Sequence, residues 1–277
     1  MILHPPAKIN IGLSIIEKRT DGFHNIETVF YPVPLCDSLT VESGLSNAAY
    51  PLVFSCDGIE LPANDPHDNL CCKAYHLLAA DYQLPSTVIH LHKKIPVGAG
   101  LGGGSSDAAH TLLALNDLYQ LRISGEKLAQ YASQLGSDCA FFLLGSPAYG
   151  TGKGDILKPV NLSLAGHHIL LVKPPVFVST ADAYSSITPK KANCHLPEAL
   201  KAPVSEWRNT VFNDFEAPVF SKFPEIGRIK EKLYREGAVY AAMSGSGSCV
   251  YGIFEEIETD FYGLFPDCFV WMKKIDR

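Results

Sequence analysis

The sequence predicts an α+β protein of two domains, and three observations lead to this prediction. The chain has 277 residues, of which 47% are apolar, so it can fill the cores of two ordinary domains. In the first half, a strand pattern leads through a glycine-rich loop into a helix pattern. In the second half, strands and helices alternate as they do in an α/β sandwich. The boundary is predicted near Gly150–Gly154, which gives domains at 1–158 and 159–277.

The elements of the first half follow from the spacing of apolar residues. In the first strand, Lys8 and Asn10 share a face because side chains alternate along a strand. Asp21-Gly22 is a turn signal before the second strand. The predicted strands are 7–17, 26–33, 37–43, 51–56 and 87–95, and the predicted helices are 68–82, a helix ending near Tyr119, and 124–135.

The second half is predicted in the same way. One helix pattern has Pro224 in its first turn and Gly237 at its end. Proline is common at the start of a helix and glycine just after its end. The segment 189–203 is polar and irregular and predicts no element. The predicted strands are 168–173, two strands joined by a glycine loop within 238–254, and 268–275, and the predicted helices are 180–186, 223–237 and 259–265.

The most informative segment is Lys93–Tyr119, which reads KKIPVGAGLGGGSSDAAHTLLALNDLY. Apolar residues spaced by three and four after the glycines predict one buried helix face. Ser105 or Ser106 is expected to cap this helix with its side-chain oxygen. Glycines let backbone amides approach a ligand, and a helix N-terminus adds free N–H groups and partial positive charge. The segment therefore predicts a phosphate site.

Other glycine-rich phosphate loops fit this segment less well. A P-loop needs Lys and then Ser or Thr after its last glycine, but Gly104 is followed by Ser105. The dinucleotide pattern GxGxxG is matched by Gly98, Gly100 and Gly103, yet it also requires a βαβ unit. A second helix follows instead of a strand. A nicotinamide-dependent dehydrogenase is therefore kept only as the alternative from another class.

Composition narrows the function further. A net charge of −6 without a Lys/Arg run argues against nucleic acid as a partner. The N-terminus lacks a basic start followed by an apolar run, and no apolar run reaches membrane-spanning length, so neither a signal peptide nor a membrane partner is expected. The eight cysteines form no CxxC pair, which predicts buried thiols in a reducing cytoplasm.

Three motifs resemble those of a known family. PVGAGLGGGSSDAA resembles the ATP-binding motif of the GHMP kinases, the group that includes galactokinase, homoserine kinase and mevalonate kinase. PAKIN resembles their first motif, at the active site, and AMSGSGSCV resembles the third, which packs against the phosphate loop. The resemblance implies the two-domain GHMP kinase fold, with a ribosomal-protein-like N-terminal domain and a ferredoxin-like C-terminal α/β sandwich.

The resemblance implies ATP and Mg²⁺ as cofactors. Asn69, in the segment DNL, and Lys93 fall at family positions near the nucleotide, and Ser105 or Ser106 is the candidate Mg²⁺ ligand. The sequence leaves open whether Asp107 faces away from the triphosphate or helps to hold Mg²⁺. The residues implied to bind the ATP phosphates are Pro96, Val97, Gly98, Ala99, Gly100, Leu101, Gly102, Gly103, Gly104, Ser105 and Ser106.

Two charged residues are implied to carry the chemistry. An alcohol is a weak nucleophile, so its phosphorylation needs a base within hydrogen-bond reach. Asp138, in LGSD, matches the catalytic aspartate of the family; from sequence alone it would cap the helix that follows. Lys8 is implied to pair with Asp138 and to stabilise the transferring phosphoryl group, whereas by itself a lysine near a strand start is usually a solvated surface group.

The segment RTDGFHNIETVF resembles one branch of the family, whose members phosphorylate the 2-hydroxyl of a cytidine diphosphate derivative of methylerythritol in the non-mevalonate route to isoprenoid precursors. The resemblance implies a small-molecule partner and a monomer or homodimer. Another small-molecule GHMP kinase, of homoserine or mevalonate type, and a silent scaffold of this fold remain alternatives. The implied substrate residues are Phe23 and Tyr184 sandwiching cytosine, His24 hydrogen-bonding the base, Phe30 lining the sugar and alditol, Thr180 at the cytidine site, and Asn10 orienting the acceptor.

Overall fold

The structure is a computed structural model that describes residues 1–44, 51–60 and 68–276. A 3-10 helix at Val204–Asn209 adds to the strands and α-helices. The strands are β1 (Ile2–Leu3), β2 (Pro6–Lys18), β3 (His24–Cys36), β4 (Ser38–Ser43), β5 (Leu52–Gly58), β6 (Thr87–Lys93), β7 (Ala148–Thr151), β8 (Ile156–Pro159), β9 (His168–Lys173), β10 (Tyr240–Met243), β11 (Val250–Phe254) and β12 (Phe269–Lys274). The helices are α1 (Leu70–Asp81), α2 (Gly103–Leu118), α3 (Gly125–Leu135), α4 (Cys139–Leu144), α5 (Thr180–Ser185), α6 (Leu196–Ala199), α7 (Glu216–Lys222), α8 (Pro224–Arg235) and α9 (Phe261–Leu264).

The chain divides into two compact units that are not continuous in sequence. The first unit comprises Met1–Ala7, Val33–Val97 and Gly102–Gly145. The second comprises Lys8–Pro32, Gly98–Leu101 and Ser146–Arg277. The domain boundary predicted after residue 158 does not coincide with any border between these two units. It stays a prediction.

The first unit contains a four-stranded sheet in the order β1-β4-β6-β5. β4 and β6 are antiparallel and β5 runs parallel to β6. Burial alternates strictly along β6, so that Ile89, Leu91 and Lys93 all face inwards. The strand predicted at 87–95 is confirmed, and its period places a lysine in the core.

Helices α1 to α4 complete the first unit, and their N-termini are capped in different ways. The Asn69 side chain accepts the Cys71 N–H at the start of α1, and Ser124 accepts the Lys127 N–H at the start of α3. α2 begins at Gly103, after Gly102 in the left-handed conformation with φ +70°, and no side chain caps it. The prediction that Ser105 or Ser106 caps α2 is wrong, because both lie inside its first turn.

The second unit contains two four-stranded sheets. One has the order β2-β3-β7-β8. The other has the order β10-β11-β9-β12, with every neighbouring pair antiparallel. Helices α5 to α8 lie between β9 and β10, and α9 lies between β11 and β12, so the elements follow the β-α-β-β-α-β order of a ferredoxin-like sandwich. The predicted architecture of the C-terminal half is confirmed.

The core of the second unit is formed partly by α8, whose Ile226, Ile229 and Leu233 are buried on one face. Between α5 and α8 the chain forms α6, the 3-10 helix and α7, none of which the sequence predicted. Among the described residues, no helix is both long and apolar enough to span a bilayer. The cysteines were predicted to be buried; Cys36, Cys56, Cys194 and Cys268 are only half-buried.

Candidate active site

The central part of the glycine loop, Gly98–Leu101, is held by a turn of the third motif in the second unit. The Ser244 hydroxyl donates to the Gly100 carbonyl at 2.8 Å, and the Cys249 N–H donates to the Ala99 carbonyl at 3.1 Å. A Cβ on Gly100 would lie 2.0 Å from the Ser244 carbonyl oxygen, and φ at Gly100 is +74°. Only glycine permits this approach. The expected packing of the third motif against the loop is confirmed.

Lys8 is fixed beside the same loop. Its Nζ donates to the Asn10 Oδ1 at 2.6 Å and to the Gly100 carbonyl at 2.9 Å, and its side chain is 3% exposed. Lys8 is therefore not a solvated surface lysine. Its backbone N–H also donates to the Leu101 carbonyl at 2.9 Å, so strand β2 and the loop are joined directly.

Hydrogen bonds on the side away from Lys8 orient the Asn10 side chain. Its Nδ2 donates to the Thr28 hydroxyl at 3.0 Å, and that hydroxyl donates to the Gly12 carbonyl at 2.6 Å. Since both ends of the Asn10 amide are engaged, its acceptor oxygen points at Lys8. The structure assigns Asn10 to holding Lys8, and its predicted contact with the acceptor alcohol stays a prediction.

The last part of the loop opens helix α2 in the first unit. The first-turn N–H groups of a helix lack intrahelical partners and carry partial positive charge. The Ser106 Oγ is fully buried and, within the described ranges, has no hydrogen-bond partner, so it does not face a ligand. Ser105 is half-buried at the same turn. Of the two candidate Mg²⁺ ligands, only Ser105 is accessible.

Asp107 faces away from solvent, which answers the question that the sequence left open. It is 2% exposed, and its Oδ2 accepts a hydrogen bond from the Lys93 Nζ at 2.7 Å. Asp37 pairs with the same Nζ. Burial raises the pKa of Asp107 to about 7, against the opposing effect of the Lys93 charge. Lys93 is therefore bound to two carboxylates, and its predicted place near the nucleotide base stays a prediction.

Asp138 occupies the N-cap position of α4 but does not cap it. No side-chain capping hydrogen bond is made there, and the carboxylate is half-buried. The capping interpretation of LGSD is therefore not supported. Helices α2 and α4 are in contact in the first unit, and Ser105 hydrogen-bonds the Cys139 thiol. Burial raises the pKa of Cys139 to about 11, so this neighbour of Asp138 is a neutral thiol. Lys8 lies in the other unit, and its pairing with Asp138 stays a prediction.

Aromatic rings from distant parts of the second unit meet at the predicted cytidine site. The rings of His24 and Tyr184 stack with centroids 4.8 Å apart and an interplanar angle of 23°. Burial and the Lys18 charge lower the pKa of His24, so its ring is neutral at neutral pH. The His24 ring covers one face of Tyr184, which the sequence did not predict. The sandwich of cytosine by Phe23 and Tyr184 stays a prediction.

Phe23 is 57% exposed, and the Lys153 Nζ lies 4.8 Å from its ring centroid. Sequence reasoning missed Lys153. Its signal is its place between two glycines in an interrupted strand pattern, which is typical of a loop that carries a charge. The Thr180 hydroxyl is 3.2 Å from the Ser246 hydroxyl, so Thr180 adjoins the third motif.

Phe30 does not line an open surface. It is 1% exposed, and a Cβ on Gly150 would lie 2.6 Å from its ring. The expectation that Phe30 lines the sugar and alditol region is not supported, because its side chain is buried against Gly150 of the neighbouring strand β7.

Two further supporting residues lie between the helices predicted at 180–186 and 223–237, where the sequence predicted no element. The Asn213 Nδ2 donates to the carbonyls of Met243 and Gly245, at 2.8 Å each. The Glu216 Oε1 accepts the Met243 N–H at 2.9 Å. Both side chains are buried and brace the turn that holds the glycine loop. Their sequence signal is weak, because a lone Asn or Glu in a polar stretch resembles a surface residue.

Comparisons with known proteins agree with this geometry. Two family models match, "GHMP kinases N terminal domain" at residues 69–146 and "GHMP kinases C terminal" at residues 197–260. The 4-diphosphocytidyl-2-C-methyl-D-erythritol kinase of Bacteroides fragilis is 51% identical over 97% of this chain and 98% of its own. That of Porphyromonas gingivalis is 43% identical over 99% of this chain and 100% of its own.

Solved structures agree as well. A crystal structure of 4-(cytidine 5'-diphospho)-2C-methyl-D-erythritol kinase has a TM-score of 0.83 and 34% identity, covering 98% of each chain. The chain therefore belongs to the GHMP kinases and, within them, to the family of 4-diphosphocytidyl-2-C-methyl-D-erythritol kinases. It is an ATP-dependent phosphotransferase, which confirms the predicted enzyme class over the nicotinamide alternative.

Proposed function

We propose that this kinase transfers the γ-phosphoryl group of ATP to the 2-hydroxyl of 4-diphosphocytidyl-2-C-methyl-D-erythritol. The observation that carries the proposal is the Lys8 ammonium, which is held 2.9 Å from the Gly100 carbonyl and is oriented by Asn10. A buried cation fixed at the glycine loop stabilises negative charge that develops on a transferring phosphoryl group. The names of the relatives support the choice of substrate.

The reaction needs positioning and charge neutralisation more than covalent chemistry by the protein. In the proposed step, Asp138 accepts the proton of the substrate hydroxyl. The hydroxyl oxygen forms a bond to the γ-phosphorus as the bond from that phosphorus to the bridging oxygen breaks, and ADP leaves. The first-turn amides of α2 and the amides of the glycine loop bind the phosphates.

Mg²⁺ belongs to the proposal, and it would neutralise charge on the ATP phosphates. Ser105 is the better candidate ligand on the loop because this residue is only half-buried, whereas the Ser106 hydroxyl is fully buried. Within the described part of the chain, no group of three or more His, Cys, Asp or Glu side chains could hold a metal.

The cytidine end of the substrate is assigned to the second unit. Phe23 offers an exposed ring, and the next residue, His24, stacks on Tyr184. The neutral His24 ring offers one donor and one acceptor for the edge of a base. Lys153, near Phe23, supplies positive charge for the diphosphate. We also propose a cytoplasmic enzyme, since the sequence has no CxxC pair and no disulfide joins cysteines in the described part of the chain.

A panel of acceptors tests the proposal. ADP release is measured with the cytidine diphosphate substrate, free methylerythritol, homoserine, mevalonate and galactose. We expect turnover only with the first, because a buried polar site left unpaired by the wrong substrate loses much of its affinity. Turnover of homoserine, mevalonate or galactose at a comparable kcat/KM would assign the chain to another GHMP activity.

A further inference from the structure

A buried ionic cluster lies at the start of helix α2, and the proposed reaction uses none of its residues. We define the carboxylate–lysine cluster as Asp37, Lys93 and Asp107, all in the first unit and all at most 3% exposed. The Lys93 Nζ is bonded to the carboxylates of both aspartates. Three charges with a net charge of −1 are thus buried close to a site that must bind a polyanion.

Asp37 fixes the chain where the glycine loop begins. Its Oδ1 accepts the N–H groups of Lys94 at 2.6 Å and Ile95 at 2.9 Å. Its Oδ2 accepts from the Lys93 Nζ. One carboxylate therefore holds the last residue of β6 and the two residues that follow it, so the loop leaves the sheet in one direction.

Lys93 and Asp107 fix the chain where the same loop ends. Asp107 lies in the first turns of α2, and its Oδ2 accepts from the Lys93 Nζ at 2.7 Å. A Cβ on Gly103 would be only 3.2 Å from that Nζ and 2.9 Å from the Ile95 side chain. The first residue of the helix thus lies directly against the lysine. The cluster joins the two ends of the loop within this unit.

Stability alone does not explain such a cluster. Burying charges has a large desolvation cost, and a buried ion-pair triad can be replaced by apolar residues without loss of stability. Burial raises the pKa of Asp107, and its Oδ1 is buried without a hydrogen-bond partner among the described residues. Both features indicate that burying this carboxylate is unfavourable for folding. What the cluster does supply is a defined geometry at the helix N-terminus.

We propose that Asp37, Lys93 and Asp107 act as positioning residues that hold the first-turn amides of α2 in the arrangement that binds the ATP phosphates. The inference rests on the proposed function, because it takes these amides as the phosphate site. It predicts a defect in ATP binding without a matching defect in binding of the alcohol substrate.

The test compares Asp107→Ala with Asp107→Asn by steady-state kinetics in both substrates. Asp107→Ala removes the link to the helix and leaves Lys93 paired with Asp37, so the protein is expected to fold. We expect the KM for ATP to rise about tenfold or more, while the KM for the alcohol substrate stays within about twofold, since only ATP binding is changed. Asp107→Asn keeps an oxygen acceptor for Lys93 and should recover most of the loss.

Tyr131→Phe is the matched control for a purely structural effect. Tyr131 is buried in the same unit, and its hydroxyl bonds to Asp81 on α1, so the change removes a partly buried hydrogen bond that does not touch the loop. It should lower the melting temperature and leave the KM for ATP unchanged. If Asp107→Ala is too unstable to assay, Asp37→Asn, which turns an amide NH₂ towards Lys93, must show the same selective rise.

An unchanged KM for ATP in Asp107→Ala overturns the inference, as does an equal rise in both KM values. A variant of the exposed helix glycine, Gly104→Val, separates this failure from failure of the proposed function. If Gly104→Val raises the KM for ATP and Asp107→Ala does not, the loop binds ATP and only the role of the cluster is wrong. If neither raises it, the phosphate site itself is misassigned.

Discussion

Asp138 is the residue for which a structural and a catalytic role can be separated by a single substitution. It stands at the N-cap of α4 without making a capping hydrogen bond. Asp138→Asn should therefore leave the melting temperature almost unchanged and lower kcat by about 10²–10⁴-fold, the usual effect of losing a general base. ATP affinity, measured by calorimetry, should be retained.

Asp260 provides the control, because it is an N-cap aspartate whose side chain does accept a first-turn N–H, that of Tyr262. Asp260→Asn should keep wild-type kcat. A kcat for Asp138→Asn within threefold of wild type would remove Asp138 from the chemistry.

Tyr184 tests the cytidine site at the same scale. Its ring stacks on His24 and contacts Phe215 edge-on, with centroids 4.9 Å apart. Tyr184→Ala removes the stacking and frees His24, so the KM for the cytidine substrate should rise about tenfold, within the range expected for loss of about 1–3 kcal/mol of base stacking. Steady-state kinetics should show a smaller change in kcat, because ground and transition states share this binding.

Tyr184→Phe keeps the ring and should stay within about twofold of wild type in KM. A rise in the KM for ATP as large as that for the cytidine substrate would mean that the ring supports the fold and not base recognition.

Single residues show how far the sequence could lead. Alternation along β6 places Lys93 on the buried face with Ile89 and Leu91, and that period is visible in TVIHLHK. The identity of its partners is not visible, because Asp37 and Asp107 are 56 and 14 residues away in sequence. Burial could be predicted from the pattern, and pairing could not.

At the scale of one element, the glycine loop and α2 could be predicted in place but not in detail. The helix and its buried face follow from the spacing of apolar residues, and the glycine content predicts a phosphate site. Which glycines face the core and which face solvent does not follow from the sequence. Gly103 points into the core against Ile95 and Lys93, so a valine there would disrupt the fold and would not isolate ATP binding. Gly104 has room, with one side-chain atom of Leu70 at 3.7 Å.

Gly104→Val is therefore the variant that tests the loop. A branched side chain at this exposed position should block approach of the phosphates to the helix amides and weaken ATP binding about tenfold or more, with the fold intact. Calorimetric titration with ATP measures the change, and the melting temperature reports on the fold.

Gly125→Val is the matched control, since Gly125 is the first residue of α3, and no atom lies within 4 Å of a Cβ there. It should bind ATP as the wild type does. Equal ATP affinity for Gly104→Val and the wild type would count decisively against α2 as the phosphate site.

The elements between α5 and α8 show why part of the site could not be predicted. α6 has four residues and α7 has seven, which is too short for a helical period to be recognised. Asn213 and Glu216 derive their roles from the turn at Met243–Gly245, about 30 residues on, and local sequence carries no trace of that contact.

At the scale of the whole molecule, sequence order and spatial order differ. β2 and β3 lie near the start of the sequence, yet most of their residues belong to the second unit with the C-terminal half. The glycine loop itself contributes Gly98–Leu101 to the second unit and the residues on either side to the first. A boundary sought along the chain could not reproduce this division, because spatial contacts create it.

The class of enzyme was nevertheless predictable, because the three motifs that bear on catalysis are short and local. PVGAGLGGGSSDAA and AMSGSGSCV are runs of glycines and small residues, and PAKIN carries Lys8, so each motif can be read from a few neighbouring residues. The identification with the GHMP kinases rests on those runs, and the relatives and the fold confirm it.

The central claim is tested most directly by phosphorus NMR of the reaction of this protein with ATP and 4-diphosphocytidyl-2-C-methyl-D-erythritol. We predict a new phosphomonoester resonance that grows in step with the formation of ADP, while the two diphosphate resonances of the substrate persist. ADP that forms together with inorganic phosphate, or a diphosphate linkage that is cleaved, would contradict the account.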